Sequence, residues 1–459
     1  MSAPVRLADL TRCFQGIVPA MIATSDAQGM PNVTYLSQIY RVDDRHVAVS
    51  RQFFNKTSRN LDENPHACVE TCDPLTMQAY RFHLRFVRSE TAGPLFDCMK
   101  LRIDAIASHT GMQGIFRLIG ADVFEVKSVE MVQGFLTGPP PEIAEVSVDG
   151  LRSEVRGLQF VSDRINRATD LDVLLDVVLK ALDDYFHFSH ISVLLFDDSR
   201  DRLVTMASRG YGASGVGAEV AVGEGLIGTV ARDRRVLRVT SLDADLRYGR
   251  TVRRQAAAGG DTRTLDAEIP LPGLCDAQSV LAIPLIAGDR LIGVIAAEDA
   301  DPMRFGEWHE AYLEIVANQI ALVMDRMIER CNEAADAAPT PAAPARVAPE
   351  RRASQLRLTY YAKDEAVFVG DEYLIRNIPA RILWKIVGES QRSGRTEFTN
   401  RELRVDPSLG LPEVKDNLES RLILLRRRLQ EKCPALAIVS TGRGRFALRV
   451  AAPLDLQER

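Results

Sequence analysis

Two proline-rich segments constrain the fold of this 459-residue chain more than any other feature. The first, Leu136 to Gly150, contains three consecutive prolines, and the second, Ala334 to Ser354, consists largely of alanine and proline. Such segments do not pack a core, and they act as semi-rigid spacers between folded parts. We therefore expect three domains, over residues 1–136, 150–332 and 355–459, with a linker over 333–354. The chain length independently predicts about three domains.

Composition and charge narrow the class of protein. Hydrophobic residues make up 46% of the chain and charged residues 26%, so each domain can bury an ordinary core. No stretch approaches the ~20 consecutive apolar residues of a membrane helix, and the first residues lack the apolar core of a signal peptide. Seven scattered cysteines, an odd number, argue for reduced thiols. We therefore expect a cytoplasmic protein with no membrane contact.

The C-terminal part contains a long helical pattern, Pro412 to Cys433, that combines a leucine face with arginines. The leucines recur at spacings of four, three and four residues, which places them on one face of a helix. They are Leu418, Leu422, Leu425 and Leu429. The other faces carry Arg421, Arg426, Arg427 and Arg428. Such a helix buries its leucines and presents guanidinium groups from the remaining surface.

A basic hairpin follows the helix, with Arg443 and Arg445 between glycines that allow a tight turn. Residues 351–459 carry a net charge of +7, which leaves −12 for residues 1–350 because the whole chain carries −5. A winged helix-turn-helix binds DNA by placing one helix in a groove and a basic hairpin, the wing, against the adjacent phosphates. The four helix arginines, with Arg443 and Arg445, are therefore the candidate DNA-binding residues. A solvated helix face is the alternative.

The order of elements from Leu356 to Val450 resembles the OmpR-type winged-helix effector domain. In that family a β-strand platform precedes three helices and a C-terminal hairpin, and the strongest marks here are LILLRRRL and IVSTGRGRFAL. The resemblance implies binding to double-stranded DNA. Ile423 and Leu424 depart from the family, because small polar or basic residues are usual there. We expect both to be exposed, which would direct part of the helix towards a protein partner.

In the first domain, alternating strand patterns separated by DAQG and DDRH turns indicate an antiparallel barrel or sheet. The run SRQFFNKTSRNLDENP brings basic side chains and hydroxyls to a strand–helix junction, where they can hold a phosphate. Residues 8–133 look like the split-barrel flavin-binding family typified by pyridoxamine 5′-phosphate oxidase. The resemblance implies that Arg51, Lys56 and Thr57 contact the phosphate of FMN. Haem, which some relatives bind, and a purely structural barrel stay open as alternatives.

Neither a catalytic constellation nor a metal-ligand pattern is recognisable. His66, Cys68 and Cys72 are close in sequence, but on an extended strand the two cysteines lie about 13 Å apart at ~3.3 Å per residue. We expect these cysteines to be buried packing residues and expect no metal site. The isolated histidines His83 and His109 are expected to pack, and His109 is the residue to test as a haem ligand.

In the middle domain, GEGLIGTVARDRRVLRV and AIPLIAGDRLIGVIAAED resemble a GAF domain, across residues 165–330. The resemblance implies an α+β sandwich, a small-molecule ligand and terminal helices that commonly pair two subunits. The signature of cyclic-nucleotide GAF domains is absent. One apolar stripe suits a homodimer, with packing inside one chain as the alternative. It consists of Leu313, Val316, Ile320, Val323 and Met327.

The predicted fold class is therefore multidomain: a split β-barrel, an α+β GAF domain and a winged helix-turn-helix. We expect a homodimeric one-component transcriptional regulator that senses a small molecule or a redox state and binds double-stranded DNA. A flavin-dependent oxidoreductase with regulatory domains is the alternative. A scaffold whose C-terminal domain meets another protein is a third hypothesis.

Overall fold

The computed structural model of the chain describes residues 5–132, 148–337 and 355–459, apart from residues 37, 53–54, 169, 212–214, 244, 248–249, 252–253, 255–272, 275, 412–417 and 443. Most of the predicted linker at 333–354 lies outside the described residues, and so does Arg443. Contacts divide the chain into two compact units. The first comprises Met1–Val155, Val222–Pro284 and Ala296–Glu314, and the second comprises Arg156–Ala221, Leu285–Ile295 and Ile315–Arg459.

Strands and helices occur in each of the three described ranges of the chain. The strands are β1 (Ala20–Ser25), β2 (Pro31–Leu36), β3 (Ile39–Arg41), β4 (His46–Arg51), β5 (His66–Cys72), β6 (Ala79–Glu90), β7 (Gly120–Met131), β8 (His190–Asp197), β9 (Arg202–Arg209), β10 (Glu219–Ala221), β11 (Leu237–Val239), β12 (Ser279–Ala287), β13 (Arg290–Asp299), β14 (Leu356–Tyr361), β15 (Ala366–Val369), β16 (Glu372–Arg376), β17 (Glu397–Thr399), β18 (Leu436–Gly442), β19 (Arg445–Val450) and β20 (Leu454–Glu458). The α-helices are α1 (Asn55–Glu63), α2 (Pro94–His109), α3 (Val148–Arg167), α4 (Leu171–Phe186), α5 (Gly225–Asp233), α6 (Glu307–Ala337), α7 (Asn377–Ser393), α8 (Asn400–Arg404) and α9 (Leu418–Lys432).

In the first unit, β1 to β7 form a seven-stranded antiparallel sheet in the order β2-β1-β5-β6-β7-β4-β3. Burial alternates along β5, as the alternating sequence predicts for a strand with one buried face. Phe82 and Phe124 lie fully buried in the core that this sheet encloses with the 3₁₀ helix Leu7–Phe14. The N-terminal part is therefore built on an antiparallel sheet, as predicted.

Helix α2 contacts residues 223–245 of the first unit, which include α5. Ser108, near the end of α2, donates a hydrogen bond to the carbonyl of Gly223 (3.0 Å) and accepts one from the amide of Gly225 (2.8 Å). Arg102 and Asp245 form a salt bridge of 2.7 Å, and both side chains are almost completely buried. These contacts hold α2 against α5 within the first unit.

Strands β8 to β13 form a six-stranded sheet in the order β10-β9-β8-β13-β12-β11. Strand β12 is buried along nearly its full length, as its continuous apolar run SVLAIPLIA predicts. The N-cap of helix α4 is Asp170, whose side chain accepts a hydrogen bond from the amide of Val173 at 2.9 Å. No helix in the described ranges is long and apolar enough to cross a membrane.

Residues 355–459 contain two small sheets and the helices α7, α8 and α9, with β17 between α7 and α8 in sequence and β18 after α9. Strand β14 pairs antiparallel with β15 and parallel with the last strand, β20, in the order β16-β15-β14-β20. The second sheet has the order β17-β19-β18, and β18 and β19 form a hairpin. Helix α8 begins with a capping box in which Thr399 and Glu402 exchange hydrogen bonds with each other's backbone amides.

Candidate functional site

Helix α9 is the predicted DNA-binding helix, and its leucine face packs as its spacing predicts. Leu418, Leu422, Leu425 and Leu429 are fully buried. Ile423 and Leu424 are buried as well, with 1% and 7% of their surface exposed. The expectation that these two residues are exposed is therefore wrong. The reason is that α9 has a second packing surface, on which Leu424 lies against Gly217. A Cβ atom built on Gly217 would be 3.8 Å from Leu424 Cδ1.

Two arginines of α9 are paired with acidic residues from residues 156–221 of the second unit. Arg427 donates to Asp172 at 2.8 Å and to Asp176 at 2.7 Å, and it also contacts the carbonyl oxygen of Asp172 at 3.2 Å. Arg421 Nη2 lies 3.5 Å from Asp197 Oδ1. These pairs join α9 to α4 and to the end of β8.

The other two helix arginines have partners within residues 355–459, and Arg426 also lies near Asp172. Arg426 lies 3.5 Å from Glu419 and 3.9 Å from Asp172. Arg428 donates to the carbonyl oxygen of Leu374 at 3.0 Å. The side chains of all four arginines are only 8–19% exposed. The helix therefore does not present its guanidinium groups to solvent in this arrangement, which we call the docked arrangement of α9.

Burial dominates the electrostatics of Asp172. Burial raises the pKa of the Asp172 carboxyl above its ordinary value of 3.8, and the hydrogen bond and charge of Arg427 and the charge of Arg426 offset only part of this. A half-buried carboxylate of this kind needs its positive partners, because removing the partner of a charge shielded from water is destabilising. Asp172 therefore depends on Arg426 and Arg427 of α9 to balance its charge.

The hairpin of β18 and β19 differs from the helix in its exposure. Arg445 is exposed at the start of β19, and Gly444 in the turn has a φ of +64°, a conformation that favours glycine. The amide of Asn400, at the start of α8, donates to the carbonyl of Gly444 at 2.9 Å. Of the predicted DNA-binding residues that the structure describes, Arg445 is therefore exposed, whereas the four arginines of α9 are covered.

A cavity of about 460 Å³ lies beside α9 in the second unit. One wall comes from β8, β9 and residues 215–219, and the other comes from residues 373–379 and α9. Its apolar lining includes Leu195, Val204, Met206, Ile375, Ile378 and Leu424. No local sequence pattern predicts this cavity, because its two walls come from segments more than 150 residues apart.

Glu219 is the polar centre of one side of the cavity. It accepts hydrogen bonds from Arg200 (2.7 and 3.2 Å), Arg376 (3.0 Å) and Asn377 (3.1 Å), and its side chain is 7% exposed. Burial alone would raise the pKa of Glu219, but the hydrogen bond from Arg200 and the charges of Arg200 and Arg376 lower it below its ordinary value of 4.5. Glu219 is thus ionised at neutral pH and joins β10 to the start of α7.

The predicted phosphate-binding residues of the sheet domain lie at one strand–helix junction, with Arg51 at the end of β4 and Lys56 and Thr57 in the first turn of α1. Arg51 donates to Ser89 Oγ at 2.8 Å and lies 3.7 Å from Asp122. Thr57 is buried and its hydroxyl accepts a hydrogen bond from Asn32 at 3.0 Å. Lys56 alone of the three is exposed.

This arrangement fits an FMN phosphate only in part. Burial raises the pKa of Asp122, and its Oδ1 atom has no hydrogen-bond partner among the described residues. A phosphate beside Arg51 would compete with that carboxylate. Thr57 is already engaged with Asn32. The assignment of Arg51, Lys56 and Thr57 to a phosphate therefore stays a prediction.

The histidine and cysteine candidates are spread over the first unit. His109 is buried at the end of α2, and His83 on β6 lies 3.4 Å from Glu130. Cys68 and Cys72 are half-buried on β5, so the expectation of full burial is wrong for both. Within the described ranges, no group of three or more His, Cys, Asp or Glu side chains is arranged to hold a metal ion.

The apolar stripe on α6 lies partly inside the chain. Leu313, Val316 and Ile320 are fully buried, and Val323 and Met327 are half-buried. Packing inside one chain, the alternative reading of this stripe, therefore accounts for its first three residues. A different row on α6 is exposed at spacings of seven residues, and it consists of Trp308, Ile315 and Leu322.

Two family models match separate segments of the chain. Residues 9–127 match the model described as pyridoxamine 5′-phosphate oxidase, and residues 168–325 match the model described as GAF domain. No curated protein sequence matches the chain. These two matches confirm the predicted domain types, a flavin-type split barrel and a GAF domain.

Several solved structures are similar to parts of the chain. The GAF domain of a phosphoenolpyruvate-protein phosphotransferase from Acinetobacter is 19% identical, covers 39% of this chain and 97% of its own, and has a TM-score of 0.31. Its counterpart from Coxiella burnetii is 23% identical, covers 38% and 94%, and also has a TM-score of 0.31. An FMN-binding protein from Syntrophomonas wolfei is 19% identical, covers 28% and 88%, and has a TM-score of 0.23. By the two family matches, the chain combines an N-terminal domain like the split barrel of pyridoxamine 5′-phosphate oxidase with a central GAF domain.

Proposed function

We propose that this chain is a one-component transcriptional regulator. Its split-barrel and GAF domains sense a small molecule or a redox state, and residues 355–459 act as a winged helix that binds double-stranded DNA. The observation that carries the proposal is the pairing of the arginines of α9 with Asp172, Asp176 and Asp197. Carboxylates that bind guanidinium groups compete directly with DNA phosphates for the same cations.

The docked arrangement of α9 is then the form with low affinity for DNA. Its arginines are covered and paired, while Arg445 on the hairpin stays exposed. Binding to a groove requires α9 to exchange its acidic partners for phosphates. A signal in the sensor domains can therefore control DNA binding by changing the stability of the docked arrangement.

We also propose that the regulator is a homodimer that uses α6. Trp308, Ile315 and Leu322 recur every seven residues and are about half exposed, which is the spacing of a helix pair that packs along one seam. Sedimentation equilibrium of the purified chain, with Leu322→Glu as the variant, tests this proposal. A monomer for the unaltered chain at micromolar concentration would refute it.

DNA binding is tested by fluorescence anisotropy with a pool of random-sequence duplexes over a series of salt concentrations. Arg445→Ala removes one exposed cation and should reduce the slope of log affinity against log salt by about one. Arg449→Ala is the matched control, because Arg449 is exposed on the same strand but lies about 13 Å further along it at ~3.3 Å per residue. Equal slopes for the two variants and the unaltered chain would contradict the assignment of the hairpin as a wing.

A flavin-dependent oxidoreductase is the second candidate function. The match of residues 9–127 to the pyridoxamine 5′-phosphate oxidase model favours it, and the pairing of Arg51 with Asp122 argues against it. The visible absorption spectrum of the purified chain, before and after addition of FMN, separates the candidates. A bound flavin that is reduced and reoxidised with turnover of a substrate would support the oxidoreductase.

A further inference from the structure

The cavity beside α9 has the size and lining of a small-molecule site. Its volume of about 460 Å³ falls within the range of roughly 300–1,000 Å³ that is usual for ligand sites in proteins. Strands β8 and β9 line one side with Leu195, Val204 and Met206, and residues of the C-terminal part line the other with Ile375, Ile378 and Leu424. An apolar body can therefore be enclosed between the two walls.

The charged residues of the lining have a positive excess. Two of them are acidic, Asp197 and Glu219. Four of them are arginines: Arg200, Arg376, Arg421 and Arg428. Glu219 is already held by Arg200 and Arg376, so a third negative group in the cavity would still meet a net positive lining.

The position of α7 adds to this preference. Asn377, Ile378 and Pro379, the first three residues of α7, all line the cavity. The N-terminus of a helix carries a partial positive charge, which favours anions within about one turn. The helix end and the arginine excess therefore act in the same direction.

From this geometry we propose that the cavity binds an amphipathic anion, a compound with an apolar body and one carboxylate or similar acidic group. The apolar body lies between Val204, Met206 and Leu424. The acidic group lies on the side of the cavity where the arginines and the start of α7 meet. The GAF domain and the C-terminal part each supply one wall of this site.

A ligand that contacts both walls stabilises the docked arrangement of α9. A ligand shifts an equilibrium only by its differential affinity for the two states, and a site with one wall removed loses all contacts with that wall. The ligand therefore lowers the affinity for DNA, and DNA lowers the affinity for the ligand by the same factor. This consequence rests on the proposed DNA-binding function, whereas the binding site itself does not.

The binding site is tested without DNA by isothermal titration of the full chain with sodium decanoate. Decanol and decylammonium chloride serve as neutral and cationic probes of the same chain length. Decanoate should bind at least about tenfold more tightly than either, because charged hydrogen bonds to arginine are lost with the other two probes. Equal affinities of the three probes, or no binding of decanoate, would overturn the proposal.

Two variants locate the binding. Val204→Trp fills the cavity and should weaken decanoate binding at least about tenfold, and the control Val173→Trp adds the same side chain at an exposed position of α4. Arg200→Gln should weaken the binding of decanoate but not the binding of decanol. Its control is Arg209→Gln, because Arg209 lies outside the cavity and pairs with Asp183. Thermal melts of each variant show whether it is folded. Unchanged decanoate affinity in folded Val204→Trp, or in folded Arg200→Gln, would overturn the proposal.

The DNA titration then separates this inference from the proposed function. If decanoate binds as described and the chain shows no affinity for any duplex, the site stands and the proposed function fails. If the chain binds DNA but decanoate does not bind, the proposed function stands and the site fails. If both bind, saturating decanoate must weaken DNA binding, and an unchanged DNA affinity would refute the coupling between them.

Discussion

Replacing Asp172 by asparagine should release α9 and raise the affinity for DNA. Asp172 accepts a hydrogen bond from Arg427 at 2.8 Å and lies 3.9 Å from Arg426, with 28% of its side chain exposed. Asparagine keeps the size of the side chain and removes its charge. The docked arrangement therefore loses its most buried acidic contact with Arg427, while the fold of α4 keeps its cap at Asp170.

The expected change in DNA affinity follows from how deeply Asp172 and Asp176, the two carboxylates that bind Arg427, are buried. A hydrogen bond between charged groups contributes about 1.5–3 kcal/mol when partly buried, so Asp172→Asn should weaken docking by about 2 kcal/mol, or about thirtyfold. Asp176 is 70% exposed, so its pair with Arg427 is screened by solvent and contributes about 0.6 kcal/mol, or about threefold. As long as the docked arrangement predominates, the apparent affinity for DNA rises by the same factors.

The assay is anisotropy of random-sequence duplexes at one fixed salt concentration, with the full chain. Removing any negative charge favours DNA binding to some degree, so the control is Asp184→Asn, an exposed residue of the same helix. The expected order of affinity is Asp172→Asn, then Asp176→Asn, then Asp184→Asn and the unaltered chain together. If Asp172→Asn binds DNA no more tightly than Asp184→Asn, docking of α9 does not control DNA binding.

Two further predictions concern stability. Asp73→Asn should destabilise the sheet domain by about 2 kcal/mol at neutral pH, since Asp73 pairs with Arg12 at 2.7 Å. Burial alone would raise the pKa of Asp73, but Arg12 and two backbone amides lower it below 3.8, so the stabilisation is present above that pH and disappears as the pH falls through the lowered pKa. Equal acid denaturation curves for the variant and the unaltered chain would contradict this prediction. Thr399→Ala removes the capping box of α8 and should lower the free energy of unfolding of the C-terminal part by about 1 kcal/mol in a urea titration, whereas Thr441→Ala, at an exposed strand position, should leave it nearly unchanged.

Much of the fold was predictable because its signals are local. The leucine spacing of α9 and the alternation along β5 each depend on residues a few positions apart, and both give the burial that the structure contains. The split barrel and the GAF domain were predictable from segment patterns. The exposure of Ile423 and Leu424 was predicted wrongly, because one helix can be covered on a second face by a distant part of the chain.

The candidate sites were less predictable than the elements that carry them. Arg51 and Thr57 lie at the expected strand–helix junction, yet their side chains contact Ser89, Asp122 and Asn32, which lie 25 to 71 positions away along the sequence. No local pattern indicates such partners. Residue type and spacing therefore predicted where cations lie, but not what those cations bind.

The sequence by itself determined the excess of positive charge after residue 350 and the leucine face of α9. Those properties depend on composition and on a period of 3.6 residues. Only the tertiary structure decided that Arg427 meets Asp172 and Asp176, more than 250 positions earlier in the chain, and that a cavity of about 460 Å³ lies beside the same helix. Pairing across such distances results from how the folded segments pack, and a charge pattern is compatible with DNA or with an acidic protein surface until that packing is known.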